Sequence, residues 1–461
     1  MEKAGDTGKP MKIQFIGATE TVTGSKYLLQ SGRRRILIDC GMFQGLKNAR
    51  LKNWQPLPVE ASQIDAVLLT HAHIDHSGYL PALMKQGFTG PIYCSRATRE
   101  LCKVLLPDAG YLQEEDARYA NKRKFSKHNP AQPLYTEQDA RKVLKQFKVL
   151  EEHDTHKVLD QFNVSLRPVG HILGACSIRI EAEGKSITFS GDVGRDDDLI
   201  MYPPEPLAAT DYLITESTYG DRLHPHMDPF AQIKDVINRT LKRGGTVLMP
   251  AFAVGRAQMV LHVIEQLKAQ NQIPHVPVFL NSPMAITATE IFYDYEHKHR
   301  LDREHCHAID DMVTYVKTKE ESIALVARKE PSIIISASGM ASGGRVLHHL
   351  KALLGNPRNS VLFLGYQAAG TRGYSLTHGH DRIKIHGEYI PVNAEVHNLE
   401  ALSSHGDYQQ IINWLKPLPQ PKHTFITHGE ACASDCMRLH IKDQLNWDKV
   451  TVPEYLDEFE L

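Results

Sequence analysis

Four ligand-type side chains in six positions, His71-Ala72-His73-Ile74-Asp75-His76, constrain this chain more than any other stretch. The run before them, Ile64-Asp65-Ala66-Val67-Leu68-Leu69-Thr70, reads as a buried strand. Side chains alternate faces on an extended backbone. His71, His73 and Asp75 are therefore expected to project together, with His76 turned away as Ser77-Gly78 bends the chain. Two imidazoles aimed one way, beside a carboxylate and a third imidazole, suit two zinc ions. Solvation of a polar turn gives no reason to concentrate ligand types in this way.

The rest of the composition sets the frame around that cluster. A chain of 461 residues, 42% hydrophobic and 23% charged, is globular and too long for one ordinary core, so two domains are expected. The net charge of -1 supplies no global basic field, so a nucleic acid would have to be held by a local cleft. The 25 histidines agree with metal chemistry. Seven cysteines, odd in number and scattered, read as free thiols in a reducing cytoplasm; Cys432 and Cys436 share a helix face but do not make a structural zinc site by themselves. No apolar run approaches the roughly 18 residues of a membrane helix. Residues 1–10 are polar, without a signal-peptide core, and are expected to form a frayed tail.

Short β-rich runs recur, and several end in a polar cluster. Arg35–Ile38 ends in Asp39, Ser186–Phe189 in Ser190-Gly191-Asp192, Tyr212–Thr215 in Glu216-Ser217-Thr218, and Thr424–Thr427 in His428-Gly429-Glu430. Strands that carry ligand types at their carboxyl ends predict one rim on a layered α/β scaffold. Strand-like runs at Thr246–Met249, Val276–Leu280, Ser332–Ile335 and Val361–Leu364 each lead into a loop and helix. They predict a parallel-sheet domain inserted into another, because ligand types lie on both sides of the block. Residues 108–160 read as a charged helical appendage, and the histidines of 296–307, with His378 and His380, as solvated.

The motifs together resemble a known family. They are Gly-Ala-Thr-Glu-Thr-Val-Thr-Gly-Ser at 17–25, the 71–76 cluster, Gly-His-Ile-Leu-Gly-Ala at 170–175, Ser-Gly-Asp-Val-Gly-Arg at 190–195, Thr-Glu-Ser-Thr-Tyr-Gly-Asp-Arg at 215–222, Ser-Ser-His-Gly-Asp at 403–407 and Thr-His-Gly-Glu at 427–430. With these the chain resembles the β-CASP ribonucleases of the metallo-β-lactamase fold, above all prokaryotic relatives of the endonuclease subunit of the mRNA cleavage and polyadenylation machinery. The resemblance runs from about Met11 to the end. It implies an α/β fold: a four-layer αββα metallo-β-lactamase domain from residues 1–217 and 386–461, with a parallel-sheet β-CASP domain inserted at 218–385.

The resemblance also implies roles. One zinc would be held by His71, His73 and His171, the second by Asp75, His76 and His428, with Asp192 bridging and Asp39 supporting from beneath. Imidazoles and carboxylates hold zinc while leaving open positions, and a carboxylate is a natural bridge between cations. Taken alone, His171 would read as an ordinary loop histidine. Glu216 and His405 match motifs of the family's β-CASP region, where His405, oriented by Glu216, would protonate the departing ribose oxygen. Their plain alternatives are a capping loop and a surface histidine. Asp75 and Asp192 would join them as catalytic residues through the metals.

The loop Ser338, Gly339, Ser342, Gly343, Gly344 and Arg345 would offer amides and a guanidinium to phosphate, and Arg256 would line the same cleft. The run Gly370-Thr371-Arg372-Gly373-Tyr374 departs from the commoner family pattern, in which leucine precedes the glycine and arginine follows it, and leaves the role of Arg372 open.

The implied activity is hydrolysis of RNA phosphodiester bonds by a two-metal hydroxide mechanism, endonucleolytic with 5′-exonuclease action, leaving 5′-phosphate and 3′-hydroxyl ends. The partner would be single-stranded RNA in the interdomain cleft; a homodimer is implied by resemblance alone. Three other classes compete. A small-molecule hydrolase needs neither the insert nor the Glu216–His405 pair. A DNA nuclease of this family usually carries valine where His428 stands. A non-catalytic RNA-binding scaffold need not keep every ligand motif.

Overall fold

A computed structural model describes residues 11–124, 128–225 and 227–461; the tail expected at 1–10 lies outside them. Two seven-stranded sheets form the main body. In order of adjacency, the first contains Glu458–Glu460, Lys12–Phe15, Tyr27–Ser31, Arg34–Ile38, Ala66–Leu68, Ile92–Cys94 and Phe147–Val149. The second contains Val450–Thr451, His423–Ile426, Tyr212–Thr215, Lys185–Phe189, Cys176–Ala182, Phe162–Pro168 and Thr155–Val158. Both chain ends build this body. Glu458–Glu460 lies antiparallel on Lys12–Phe15, with Phe459 opposite Ile13.

The alternation of side chains along each strand produces the layers. Ile36 and Ile38 face the space between the sheets, where Phe15, Phe189, Ile214 and Phe425 also lie. Phe15 and Phe425 meet there with ring centroids 5.1 Å apart. Leu37 and Val67 point the other way, into a cluster shared with Leu83, Leu101 and Leu105 of the outer helices. On the far side Leu213 and Ile426 pack with Ile411 and Met437 of the helices Tyr408–Leu415 and Ala431–Leu445. The order is helix, sheet, sheet, helix.

The insert is a six-stranded parallel sheet, ordered Val313–Tyr315, Val278–Leu280, Ile333–Ser336, Val247–Pro250, Ser360–Leu364 and Glu395–Leu399. Helices cover both faces, which is why its strands read as unbroken apolar runs. Ile333 and Ile335 face one cluster and Ile334 the other. The first of these clusters continues through Ile172 and Leu173 into the main body, so the two domains share one core.

Four expectations change. The insert's sheet closes with Glu395–Leu399, so the return to the main body falls near residue 400 rather than 386. The segment 108–160 is no appendage. Its helix, Arg96–Arg123, buries Leu101, Leu105 and Leu106, and the segment supplies Phe147–Val149 and Thr155–Val158 as edge strands of the two sheets. His299, expected in solvent, is buried and stacked on Phe292 at 3.8 Å. His76 does not turn away, as described below.

The layer between the sheets carries the fold. Phe425→Ala is expected to cost roughly 3–5 kcal/mol, read as a lower urea midpoint at an unchanged slope. A loss below 1 kcal/mol would show that this layer is not tightly packed.

Candidate metal centre

The strands Arg34–Ile38 and Ala66–Leu68 are parallel, as are Lys185–Phe189, Tyr212–Thr215 and His423–Ile426. Their carboxyl ends deliver Asp39, Thr70-His71, Asp192, Glu216 and His428 to one rim. Asp39 and His428 leave their strands at φ 55° and 51°, a left-handed turn that non-glycine residues seldom adopt. Strain of this kind persists where surrounding bonds over-determine it, and Asp39 shows such bonds. Its carboxylate accepts the Thr70 amide (2.8 Å) and the Thr70 hydroxyl (2.8 Å), and lies 2.8 Å from His76 Nδ1.

After His73 the chain enters a single helical turn, Ile74–Ser77, rather than continuing extended. The turn is held from outside. The amides of Ser25, Cys40 and Met42 bond the carbonyls of Asp75, His76 and Ile74 at 2.9, 2.7 and 2.9 Å. Gly41 makes this approach possible, since a Cβ there would lie 1.5 Å from the Asp75 carbonyl oxygen. Behind it sits Lys26, fully buried. Its ammonium bonds the Gly41 carbonyl and lies 4.7 and 4.8 Å from the ring centres of Phe43 and Tyr79. Burial pulls its pKa down to about 8. The helical turn swings His76 into the rim, the reverse of the expectation from an extended strand.

Two groups of side chains converge there: His71, His73, His171 and Asp192, and beside them Asp75, His76 and His428. His73 Nδ1 lies 3.1 Å from both His71 Nε2 and His171 Nε2, and Asp192 Oδ2 lies 3.5 Å from each of those two. Four zinc ligands at bonds of about 2.05 Å stand about 3.3 Å apart along the edges of a tetrahedron, which brackets this spacing. One ring nitrogen has a single proton or a single lone pair, so His73 cannot satisfy both neighbours by accepting their protons. A cation at the centre would satisfy all four atoms.

In the second group His76 Nε2 is 3.1 Å from His428 Nε2, and His428 Nε2 is 3.6 Å from Asp75 Oδ2. Asp192 Oδ1 reaches this group, 3.2 Å from His76, and has no hydrogen-bond partner although buried. Burial holds His71, His73 and His171 below the ordinary histidine pKa, His73 at about 4, which favours the neutral ligand form. Burial opposes the charge on Asp192, but His428, His76 and His71 outweigh it and keep the carboxyl ionised.

The sequence reading did not single out the residues that orient these rings. Thr70 Oγ1 lies 3.1 Å from His71 Nδ1, Thr218 Oγ1 3.1 Å from His428 Nδ1, and the Ser404 carbonyl 3.3 Å from His171 Nδ1. Partners of this kind fix tautomer and ring direction. Thr218 and Ser404 lie inside quoted motifs and Thr70 ends the quoted strand run, but nothing in their type marked them for this role.

Glu216 and His405 meet at the edge of the rim. Glu216, 1% exposed, accepts the Val193 amide at 2.6 Å and lies 3.0 Å from His405 Nδ1. The His405 ring is 4.4 Å from that of His171. Burial lowers the His405 pKa, yet the Glu216 carboxylate and its hydrogen bond more than offset this and leave it raised.

The expected phosphate contacts lie farther out. Phe252 bridges to them. Its ring centre is 6.2 Å from that of His73, and a Cβ on Gly339 would strike its ring at 2.7 Å. Gly343 faces open space. Ser338 Oγ accepts the Ser342 amide at 2.9 Å. Gly344 has φ 78°. Arg345 is not the free cation expected from the sequence. Its guanidinium donates to Asn281 Oδ1, the Val316 carbonyl and the Lys317 carbonyl at 2.9, 2.9 and 3.0 Å, and so braces its own domain. Arg256 is buried, with a pKa pulled down to about 10 by burial, against the pull of Asp198 and Tyr219.

Three family models match the chain: the metallo-beta-lactamase superfamily at residues 21–240, the Beta-Casp domain at 257–376 and the Zn-dependent metallo-hydrolase RNA specificity domain at 389–453. The chain is 34% identical to Ribonuclease TTHA0252 of Thermus thermophilus, over 91% of this chain and 93% of that protein. It is 29% identical to an RNase J-like protein of Methanocaldococcus jannaschii, covering 96% and 97%. Transcription termination factor FttA of Pyrococcus abyssi is 31% identical over 98% of this chain and 71% of its own length. A crystal structure of a protein of unknown function from Enterococcus faecalis shares the fold, with a TM-score of 0.55, 14% identity and coverage of 98% and 100%.

Two substitutions test the centre. Asp192→Ala removes the one carboxylate common to both groups and is expected to lose most bound metal by elemental analysis, with the circular dichroism of the fold retained. Thr218→Val removes only a ring-orienting hydroxyl and should weaken metal affinity by about 10–100-fold in a chelator competition. Full metal content in Asp192→Ala would overturn the assignment.

Proposed function

The chain belongs to the β-CASP branch of the metallo-β-lactamase superfamily, and from that premise we propose that it is a zinc-dependent ribonuclease. It cuts RNA internally and also trims exposed 5′ ends, acting on single-stranded RNA in the cleft between main body and insert. The observation that carries this reading is the pair of ligand groups, with Asp192 in one and within reach of the other, and the Glu216–His405 pair at their edge. The matched RNA specificity model and the ribonuclease names of two relatives support the choice of RNA. The free cysteines, five of them buried, fit a reducing compartment, and the cytoplasm is the proposed location.

Two zinc ions, one held by His71, His73 and His171, the other by Asp75, His76 and His428, with Asp192 common to both, would supply charge for the phosphoryl oxygens and a water nucleophile usable at neutral pH. The protein's own groups do the rest. Asp39 fixes His76 through Nδ1, which leaves Nε2 toward the rim. Glu216 fixes His405 through Nδ1 and favours the imidazolium. Nε2 of His405 is then the atom that gives a proton to the departing ribose 3′ oxygen. Loss of that oxygen leaves a 3′-hydroxyl on one fragment and a 5′-phosphate on the other.

The test separates proton transfer from metal binding. His405→Ala should keep its metal yet cut RNA about 10²–10⁴-fold more slowly, and Glu216→Gln should show a milder loss. A substrate with sulfur in place of the departing 3′ oxygen needs little protonation. It should recover much of the rate in His405→Ala and none in Asp192→Ala. Loss of metal from His405→Ala, or no recovery with the sulfur substrate, would refute this role.

A further inference from the structure

Outside the rim, the insert carries a small ribbon that the proposed chemistry does not use. Arg382–Ile385 and Glu388–Pro391 form a two-stranded antiparallel sheet, joined by no third strand among the described residues. Ile383 and Ile385 are buried on its inner face. The outer face presents Arg382, Lys384 and Tyr389, with Lys384 directly opposite Tyr389 in register. Tyr389 is 66% exposed, the most exposed large hydrophobic side chain among the described residues. The Arg382 guanidinium and the Lys384 ammonium each lie 5.8 Å from its ring centre. Two carboxylates temper this charge: Asp381 at 3.9 Å from Arg382, and Glu388, which is paired with Lys351 at 2.8 Å. Arg123, at the end of the long helix, adds a further cation on that side, and the hydroxyl of Tyr119 in the same helix bonds the His386 carbonyl at 3.1 Å.

The ribbon is continuous with the rim. Arg372 pins it there. Its Nε donates to the Lys384 carbonyl at 2.8 Å and its Nη1 to the Ser342 carbonyl at 3.1 Å. Ser342 belongs to the loop whose Gly339 packs on Phe252, and Phe252 faces His73. An exposed aromatic ring flanked by cations, tied through these contacts to the loop beside the metal centre, is a pattern that holds single-stranded nucleic acid without reading its sequence. Bases stack on the ring and phosphates meet the cations.

We propose that the outer face of this ribbon is a second contact for single-stranded RNA, with a base on Tyr389 and the flanking phosphates on Arg382 and Lys384. The proposal rests on the ribonuclease reading and adds a place where the strand is held away from the cut. The spacing follows from the long helix. The turn Ile74–Ser77 that carries His76 packs against the long helix, on which Tyr119 stands 17 residues beyond Cys102. That stretch of helix is roughly 25 Å long at 1.5 Å per residue, so the strand between rim and ribbon must be several nucleotides long. A short RNA cannot occupy rim and ribbon together.

The test compares a trinucleotide with an unstructured 20-nucleotide RNA on the full chain. The triple variant Arg382→Ser, Lys384→Ser, Tyr389→Ser should raise KM and the anisotropy Kd for the long RNA by about ten-fold or more. It should leave kcat, and cleavage of the trinucleotide, at the wild-type level. The salt dependence of long-RNA binding should flatten by about 1.4 in log–log slope, for two phosphate contacts on a single strand. Tyr389→Phe should bind as the wild type, because stacking needs the ring and not the hydroxyl. An unchanged Kd for the long RNA, or equal losses on both lengths, would overturn the proposal while leaving the ribonuclease reading intact. Failure of the wild-type protein to bind or cut either RNA would overturn both.

Discussion

One buried carboxylate organises the rim. Asp39 takes the amide and hydroxyl of Thr70 and faces Nδ1 of His76. It thereby locks together the carboxyl ends of two neighbouring parallel strands and decides which nitrogen of His76 is left for the centre. Thr70 passes the constraint to His71 through its own hydroxyl. The same oxygen atoms that hold the backbone in its left-handed turn therefore set two candidate ligands. Burial makes such a network costly to break, because a bond lost there is not replaced by water.

The second sheet meets this arrangement through Asp192. It stands at the end of Lys185–Phe189 and lies within 3.5 Å of histidines carried by both sheets. The packing of Phe15 on Phe425 keeps the two sheets at the spacing this needs. The insert is fixed through the same core, since Ile172 and Leu173, beside His171, pack in one cluster with its sheet. Cleft geometry and metal geometry are thus consequences of one packed interior.

Much of this was legible in the residues. Strand ends could be read because apolar runs stop at polar clusters, and the inserted domain because four strand–helix units stand between ligand-type residues. The orientation of His76 could not be read. It depends on a helical turn held by Ser25 and Cys40, which are distant in sequence. The Glu395–Leu399 strand was hidden because Glu-Val-His-Asn-Leu at a sheet edge has no apolar run. The long helix looked like an appendage from residue 108 onward because its buried face, Leu101 to Leu106, lies upstream. Arg345 illustrates a general limit: nothing in a sequence says whether a guanidinium is already satisfied by carbonyl oxygens.

The pairing of Glu458–Glu460 with Lys12–Phe15 has a consequence for the order in which the molecule can come into being. A ribosome delivers Lys12–Phe15 long before its partner, and the edge that pairs with residues 458–460 stays bare until those have been made. His428 also emerges late, after both Asp192 and the 71–76 cluster. A nascent chain that has not yet reached His428 therefore carries an incomplete rim, while it is still tethered to the messenger that encodes it. Completion of the centre and closure of the first sheet fall within the same short stretch of translation.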